Sequence, residues 1–478
     1  MGSLPLDASL RPLDPEAFSG ESRAVVDFLA EYYRGVDKYP VRAADLEPGL
    51  LRKLLPGAAP EHGEPLEDVL EDVRRDILPG LTHWQSPNFF AYFPMNASAA
   101  GFAGEMLSVG LNVVPFVWAA SPAAAELEAV VVDWMGKLLG LPQRLLFSGG
   151  GGGVLQGSTC EAVVCTLAAA RDRAMAKLGH EAITKLVVYA SDQTHATFQK
   201  GARLVGIPAV QLPRHPDVGV LRRPCAPVPL CHGGHNGASA RPDPVARRRR
   251  RGATACGCTS TPRTRQRGHL PEFQGYLDGA ELADSVSMNP HKWFLTNTDC
   301  CCLWVASPRA LTSALSTDPE YLKNVGTNGT GKPAAIDYKD WQISMSRRFR
   351  AIKLWVVLRR YGADGLRAHV RRHVAAAKWF EQTVAADERF EVVVPRRFSL
   401  VCFRLRPRSV GDEAAVNNVN RKLLAALNES GRAFMTHFVV DGKFMIRLAV
   451  GGSMTDMQHV MDVWELLQDQ ADHVLRRF

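Results

Sequence analysis

The chain has 478 residues, 46% of them hydrophobic, and a formal net charge of +8. Its mean hydropathy of −0.10 is typical of a globular protein, and its length predicts two or three packed units rather than one core. No apolar run reaches the ~20 residues of a membrane helix, and the N-terminus lacks a secretory signal pattern, so we expect a cytoplasmic protein with no membrane partner.

The positive charge is concentrated in one segment. Residues 214–270 contain 12 Arg, no Lys and only two acids, Asp217 and Asp243, which gives the segment +10 and leaves −2 for the rest. A basic protein often binds nucleic acid, but a slightly acidic remainder argues against it, so we expect no nucleic-acid partner. The ten cysteines form no disulfide framework and predict reduced thiols, as in the cytosol.

The N-terminal residues, 1–85, are predicted to be helical. Apolar residues recur at helical spacing over 21–33 and 66–77, with Pro and Gly between the two stretches. Two such helices bury little surface by themselves, so we expect this segment to pack on a partner.

Helical and strand-like patterns alternate from about residue 86 to 375, which is typical of an α/β unit with a mostly parallel sheet covered by helices. The predicted helices are 124–139, 160–178 and 348–385, and the predicted strands are 185–190, 203–207 and 300–306. The remaining residues, 376–478, predict a small α+β domain. Its strands are 390–394, 400–405 and a hairpin turning at Asp441 and Gly442, and its helices are 413–427 and 456–475.

Lys292 is the strongest candidate for chemistry. It lies between His291 and Trp293, after Pro290 and shortly before the predicted strand 300–306. Partial burial lowers the pKa of a lysine and frees its nucleophilic amine, which covalent attachment of an aldehyde cofactor requires. The alternative is a surface lysine that packs beside a tryptophan.

A glycine run, residues 149–153, precedes a second candidate. It predicts a flexible turn that leads into a helix, with Ser158 as the cap and Glu161 completing a capping box. The N–H groups and dipole at such a helix end bind phosphate. The alternative is a mobile surface loop. His195 follows a predicted strand by a few residues, where α/β sheets present their sites.

Six motifs, in this order, resemble those of the group II pyridoxal-phosphate (PLP) decarboxylases, the aromatic L-amino acid decarboxylases, and particularly their plant tyrosine and tryptophan members. They are FFAYFP (89–94), WAASP (118–122), GGGVLQGS (151–158), DQTH (192–195), NPHKW (289–293) and DPEYLK (318–323). The resemblance implies an α/β, type I PLP-dependent fold. It also implies a homodimer with sites at the subunit interface. Residues 1–85 would serve dimerisation, 86–375 would form the large PLP-binding domain, and 376–478 the small C-terminal domain.

The resemblance also implies residue roles for the cofactor PLP. Lys292 would bind it covalently, and His195 would stack on its pyridine ring and face the substrate carboxylate. Tyr321 would protonate the substrate α-carbon after CO₂ leaves; aldehyde-forming relatives carry phenylalanine there, so an amine product is expected. The cofactor phosphate would be held by Ser158, Thr159 and Cys160, with help from Asn289 and His291.

Five positions match the substrate pocket of the family. Aromatic side chains supply flat walls for a ring substrate, and Ser346 stands where phenol-preferring plant members carry serine and indole-preferring ones glycine. We therefore expect tyrosine to be preferred over tryptophan, with phenylalanine and DOPA left open. The aromatic positions are Trp84, Tyr92, Phe93 and Phe116.

Residues 214–270 do not match the family. They contain no Glu, Lys, Ile, Met, Phe, Tyr or Trp, a composition that predicts disorder and no buried strand. Family members place here a strand reading roughly His-Val-Asp-Ala-Ala-Tyr-Ala, whose aspartate keeps the pyridine nitrogen of PLP protonated. A chain without it is expected to be a catalytically impaired homologue, or to be misfolded in part of the large domain.

The missing strand is compatible with another reading frame. Codons that encode residues 258–265, read from the last base of the first codon, give His-Val-Asp-Ala-Ala-Tyr-Ala, and codons that encode residues 232–237, read from the second base of the first codon, give Thr-Val-Gly-Thr-Thr. Our hypothesis is that part of residues 214–270 is translated out of frame, through a gene-model error or a real insertion or deletion. Two alternatives are RNA or acidic-surface binding by the arginines of 247–251, and a zinc site, although we expect no metal. The zinc ligands would be Cys231, His232, His235, Cys256 and Cys258.

Overall fold

The structure is a computed structural model. It describes residues 12–191, 195–207, 280–317, 335–407 and 411–476, and the backbone of three short stretches, 214–215, 229–232 and 254–256. The chain divides into two compact units: the first is Met1–Pro94 with Arg372–Phe478, and the second is Met95–Arg371. Within the described residues, every helix is too short or too polar to cross a bilayer.

Helices begin at side-chain caps in several places, because the first N–H groups of a helix need acceptors. Asp14, Ser98, Asp412 and Asp456 each accept a backbone N–H of the helix that follows. The α-helices of the described chain are α1 (Pro15–Gly35), α2 (Leu50–Leu54), α3 (Leu66–Asp72), α4 (Ala99–Leu111), α5 (Pro122–Leu139), α6 (Thr159–Leu178), α7 (Thr197–Leu204), α8 (Pro290–Trp293), α9 (Pro308–Leu315), α10 (Arg350–Ala386), α11 (Glu413–Glu429) and α12 (Met457–Leu475).

In the part of the chain that the structure describes, the strands form one sheet in the first unit and two in the second. They are β1 (Gly152–Gln156), β2 (Val187–Ser191), β3 (Arg214–His215), β4 (Pro229–His232), β5 (Thr254–Cys256), β6 (Ser285–Met288), β7 (Cys301–Val305), β8 (Phe390–Arg397), β9 (Leu400–Leu405), β10 (Thr436–Val440) and β11 (Lys443–Ala449). The sheet orders are β10-β11-β9-β8 in the first unit, and β1-β7-β6 and β3-β2-β4-β5 in the second.

In the first unit, an antiparallel sheet buries both of its faces. One face packs on α11, α12 and the last turns of α10, through residues such as Phe403, Ile446 and Leu467. The other face is also apolar and contacts Phe93. As predicted, β10 and β11 turn at Asp441 and Gly442, which have φ values of +50° and +76°, as a type I′ hairpin requires.

In the second unit, β7 lies between β1 and β6 and pairs antiparallel with both, while β2, β3, β4 and β5 pair in parallel. Trp304 of β7 is fully buried, and its ring N–H donates to Val132 O of α5 at 3.1 Å. Helix α5 therefore covers the sheet that carries both candidate segments, β1 with its following turn and β6 with Lys292.

One prediction about a strand is wrong. Residues 203–207 are not a strand: α7 extends to Leu204, and Gly206, at φ +79°, ends the helical turn so that Val205 and Ile207 enter the core. In the segment 214–270, the backbone of three short stretches pairs as β3, β4 and β5, while the burial of their side chains, which the prediction concerned, lies outside what the structure describes. Backbone N–H and C=O groups make a parallel ladder whatever side chains they carry, so composition alone does not prevent pairing.

Candidate active site

The glycine run before α6 lies partly in a buried strand and is closely packed. Gly152 and Gly153 lie in β1, which is buried throughout. A Cβ on Gly153 would lie 2.5 Å from Val132 Cγ1 and 2.6 Å from Leu303 O, so only glycine lets α5 and β7 approach this strand. The predicted flexible turn is therefore wrong for these two residues. Their tight packing fixes the position at which β1 ends and α6 begins.

The predicted capping box is also wrong, because Ser158 and Glu161 do not make the hydrogen bonds that such a box requires. Ser158 makes no side-chain cap hydrogen bond, and Glu161 Oε2 accepts the N–H of Gly157 at 3.1 Å instead of that of Ser158. The helix thus begins at Thr159 without using the Ser158 hydroxyl. Since the first N–H groups of a helix have no intrahelical acceptor, this end of α6 offers donors of the kind that hold a phosphate.

A hydrogen bond brings the two candidate segments together. Thr159 Oγ1 donates to Asn289 Oδ1 at 2.9 Å, across 130 positions of sequence. Asn289 precedes α8, in which Pro290 begins the helix and His291 and Lys292 follow. Thr159, at the start of α6, therefore lies beside the segment that carries Lys292.

The His291 side chain is buried and has a defined tautomer. Its Nδ1 accepts the backbone N–H of Cys300 at 2.9 Å. Burial, followed by the nearby charge of Lys292, lowers its pKa from 6.5 to about 4. A neutral ring whose Nδ1 is an acceptor carries its proton on Nε2. His291 can therefore donate a hydrogen bond to an anion from this position.

Lys292 is half-buried, and its charge acts on two imidazoles. Burial first, and the Lys292 charge second, lower the pKa of His195 below its usual 6.5. The same charge contributes to the low pKa of His291. His195, Lys292 and His291 thus share one electrostatic site, in which the lowered pKa of His195 favours its neutral form.

Asp299 and Arg350 form a part of the site that the sequence analysis missed. Asp299 Oδ2 accepts from Arg350 Nη2 at 2.8 Å. Burial alone would raise the pKa of Asp299, but the hydrogen bond and charge of Arg350 outweigh it, and the pKa falls below its usual value. A Cβ on Gly157 would lie 2.8 Å from Glu161 Oε1 and 3.0 Å from Asp299 Oδ2. The sequence shows an aspartate just before β7 and an arginine at the start of α10. It does not show that these two residues, 51 positions apart, are in contact.

The residues assigned to substrate lie in both units. In the first, the rings of Trp84 and Tyr92 stack with centroids 5.6 Å apart and planes 14° from parallel, and the guanidinium of Arg447 lies over the ring of Phe93. In the second, Phe116 O accepts the N–H of Lys339 and Ser346 is exposed. Tyr321 lies outside the described residues.

Within the described residues, no group of three or more His, Cys, Asp or Glu is arranged to hold a metal. The side chains of the zinc alternative lie outside that part of the chain, as do the arginines of 247–251.

Acid is expected to destabilise the fold through His291. Between pH 6.5 and about 4 the unfolded chain binds a proton that the folded chain excludes, so stability is full above pH 6.5 and falls as the pH drops towards 4. His291→Asn, whose Oδ1 takes the place of Nδ1 and can still accept from Cys300, should reduce this loss by about 3 kcal/mol. Urea unfolding between pH 7 and 4 measures the loss. An unchanged pH dependence would contradict the assignment, and the exposed His180→Asn is the control.

Gly157→Ala is expected to weaken PLP binding about tenfold, because the new methyl group would push Glu161 and Asp299 away from the turn before α6. Titration of the apoprotein with PLP, followed by absorbance, measures the dissociation constant. Gly110→Ala is the matched control, since nothing lies within 4 Å of its Cβ position. Equal affinities in both variants would show that the turn does not need its present shape.

Known proteins are similar to this chain in sequence and in fold. The family model described as "Pyridoxal-dependent decarboxylase conserved domain" matches residues 48–222 and 269–406. Its gap lies inside the segment 214–270, which confirms that this segment departs from the family.

The chain is 49% identical to tyrosine decarboxylase 4 of Petroselinum crispum, over 98% of this chain and 95% of that protein. It is 48% identical to phenylacetaldehyde synthase of Petunia hybrida, over 97% and 96%. The crystal structure of Catharanthus roseus tryptophan decarboxylase in complex with L-tryptophan superposes with a TM-score of 0.87, at 44% identity, over 97% of this chain and 100% of that one. The predicted type I PLP fold and PLP cofactor are thereby confirmed, and the chain belongs to the pyridoxal-dependent decarboxylase family.

Proposed function

We propose that this protein decarboxylates an aromatic L-amino acid, with tyrosine preferred over tryptophan, to its amine and CO₂. One observation carries the proposal: the Thr159–Asn289 hydrogen bond joins the N-terminus of α6 to the Lys292 segment. A helix end whose N–H groups would hold a phosphate therefore neighbours an amine that would bind an aldehyde, and PLP carries both a phosphate and an aldehyde.

The residues present fit PLP. The Ser158 hydroxyl is not used by the helix, the first turn of α6 supplies N–H donors, and His291 presents Nε2–H. These groups would hold the phosphate, while Lys292 Nζ would bind the aldehyde carbon. When bound, PLP supplies the electron-accepting ring that makes loss of CO₂ possible.

Two further residues would act on the substrate. Burial and the Lys292 charge lower the pKa of His195, so its favoured neutral ring would stack on the pyridine ring and face the substrate carboxylate without forming an ion pair that would slow loss of CO₂. Tyr321 would return a proton to the α-carbon, and it is the residue that favours an amine over an aldehyde product. The stacked pair Trp84 and Tyr92 and the ring of Phe116 would contact the substrate ring, and Ser346 would bond a phenolic hydroxyl.

A homodimer is part of the proposal. Helix α1 has no fully buried residue and exposes Phe18 and Val26, and α4 exposes Leu107, Val109 and Leu111. Apolar surfaces of this kind mark protein–protein interfaces. A cytoplasmic location is likewise proposed, supported by free thiols at the described cysteines.

The alternative functions are tested by product analysis. Purified protein with PLP is given tyrosine, phenylalanine, tryptophan and DOPA, and amine, CO₂, aldehyde and peroxide are measured. We expect amine and CO₂, fastest from tyrosine. Aldehyde with peroxide would support an aldehyde synthase, the activity named for the Petunia relative. Bound PLP with no product would indicate a catalytically impaired homologue that lacks the pyridine-nitrogen aspartate.

A further inference from the structure

Arg447, in β11, is a buried cation without a counter-ion in the described chain. It is 6% exposed, and no described Asp or Glu forms an ion pair with it. Its Nε has no hydrogen-bond partner within that part of the chain. Its guanidinium carbon lies 5.1 Å from the ring centre of Phe93 and 4.4 Å from that of Phe438.

Burial of Arg447 in its apolar surroundings is expected to lower the stability of the fold. It stands on an otherwise apolar face of the sheet, among Leu400, Cys402, Met445 and Ala449. A buried charge without an opposite charge destabilises a fold. Other buried arginines of this chain are paired: Arg404 with Glu391, and Arg347 with Glu128. Packing alone would favour methionine or leucine at position 447, so its presence points to a function.

The contacts of Arg447 indicate what this function is. Its Nη2 donates to Tyr92 O at 3.5 Å, and its cross-strand neighbour Thr436 accepts the Tyr92 N–H on Oγ1 at 3.3 Å. The two side chains therefore hold Tyr92 by both backbone groups. Tyr92 needs this support because its φ of +54° is strained for a residue with a side chain. In this conformation its ring stacks on Trp84.

We propose that Arg447 is a positioning residue that fixes the aromatic wall of Trp84, Tyr92 and Phe93 for the ring of an aromatic ligand. It contacts the wall and not the reacting atoms. This role rests on the proposed function, in which that wall binds the substrate ring.

The holoenzyme variants Arg447→Met and Arg447→Lys test the role. Methionine fills the apolar site without a charge, so we expect KM for tyrosine to rise about tenfold. The value of kcat should stay within about twofold, PLP affinity should be unchanged, and the melting temperature should be unchanged or higher. Lysine should restore part of the KM. The control is Arg421→Met, an exposed arginine over Phe444 in the same unit, which should change nothing.

A titration with tyramine, monitored by tryptophan fluorescence, measures the affinity of the aromatic wall for a ring ligand without turnover. Weaker binding by the methionine variant supports the role even if the wild-type protein forms no amine, in which case only the proposed reaction fails. Equal tyramine affinity and equal KM would overturn it. So would a lower melting temperature with parallel loss of PLP, since that describes a structural role alone. A wild-type protein that binds no tyramine would refute the wall and this role with it.

Discussion

Replacing Lys292 by alanine is expected to lower kcat by about 10³-fold or more, because covalent attachment of the cofactor depends on this amine. Arginine is the more informative variant. It keeps the positive charge that lowers the pKa of His195 and His291 but has no nucleophilic amine. Both variants should therefore lose activity, and the loss in Lys292→Arg cannot come from removing the charge that, after burial, lowers the pKa of His195 and His291.

Borohydride reduction provides the direct measurement. In the wild-type holoprotein it should fix PLP on the peptide that contains Lys292, and in either variant no peptide should be labelled. Lys177→Ala, an exposed lysine late in α6, is the control and should retain both label and activity. A label on another lysine of the wild-type protein would refute the assigned site and the proposed reaction with it.

The second large effect, on the rate of decarboxylation, is expected from a change within residues 214–270, the segment that departs from the family. A chain carrying His-Val-Asp-Ala-Ala-Tyr-Ala in place of residues 259–265 should decarboxylate about 10²–10³-fold faster than the same chain with asparagine instead of the aspartate. A carboxylate against the pyridine nitrogen keeps it protonated, which a neutral amide cannot do. Steady-state assays of the matched pair measure the effect.

Two observations support a frame-shifted segment at this place. The family model stops at residue 222 and resumes at 269. Strand β5 pairs in parallel with β4 and ends at Cys256, two residues before the stretch whose other frame encodes the aspartate. Equal rates for the aspartate and asparagine chains would refute the electronic role, and a transcript that encodes residues 214–270 as printed would refute a gene-model error.

Short-range patterns predicted most elements correctly. The helices near 124–139, 160–178 and 413–427, the strand near 301–305 and the Asp441-Gly442 hairpin formed where expected, because periodicity, caps and turn residues act over a few positions. The strand predicted at 203–207 failed for the same reason: a short apolar run does not distinguish a strand from the end of a buried helix.

The sequence by itself determined the family and the candidate lysine, since Asn289, His291 and Lys292 are neighbours along the chain. Only the tertiary structure decided how they act. The Thr159–Asn289 bond, the tautomer of His291, the Asp299–Arg350 pair and the arginine that holds Tyr92 all depend on contacts between residues far apart in sequence. Such contacts depend on how strands and helices are packed, and local residue patterns carry no information about that packing.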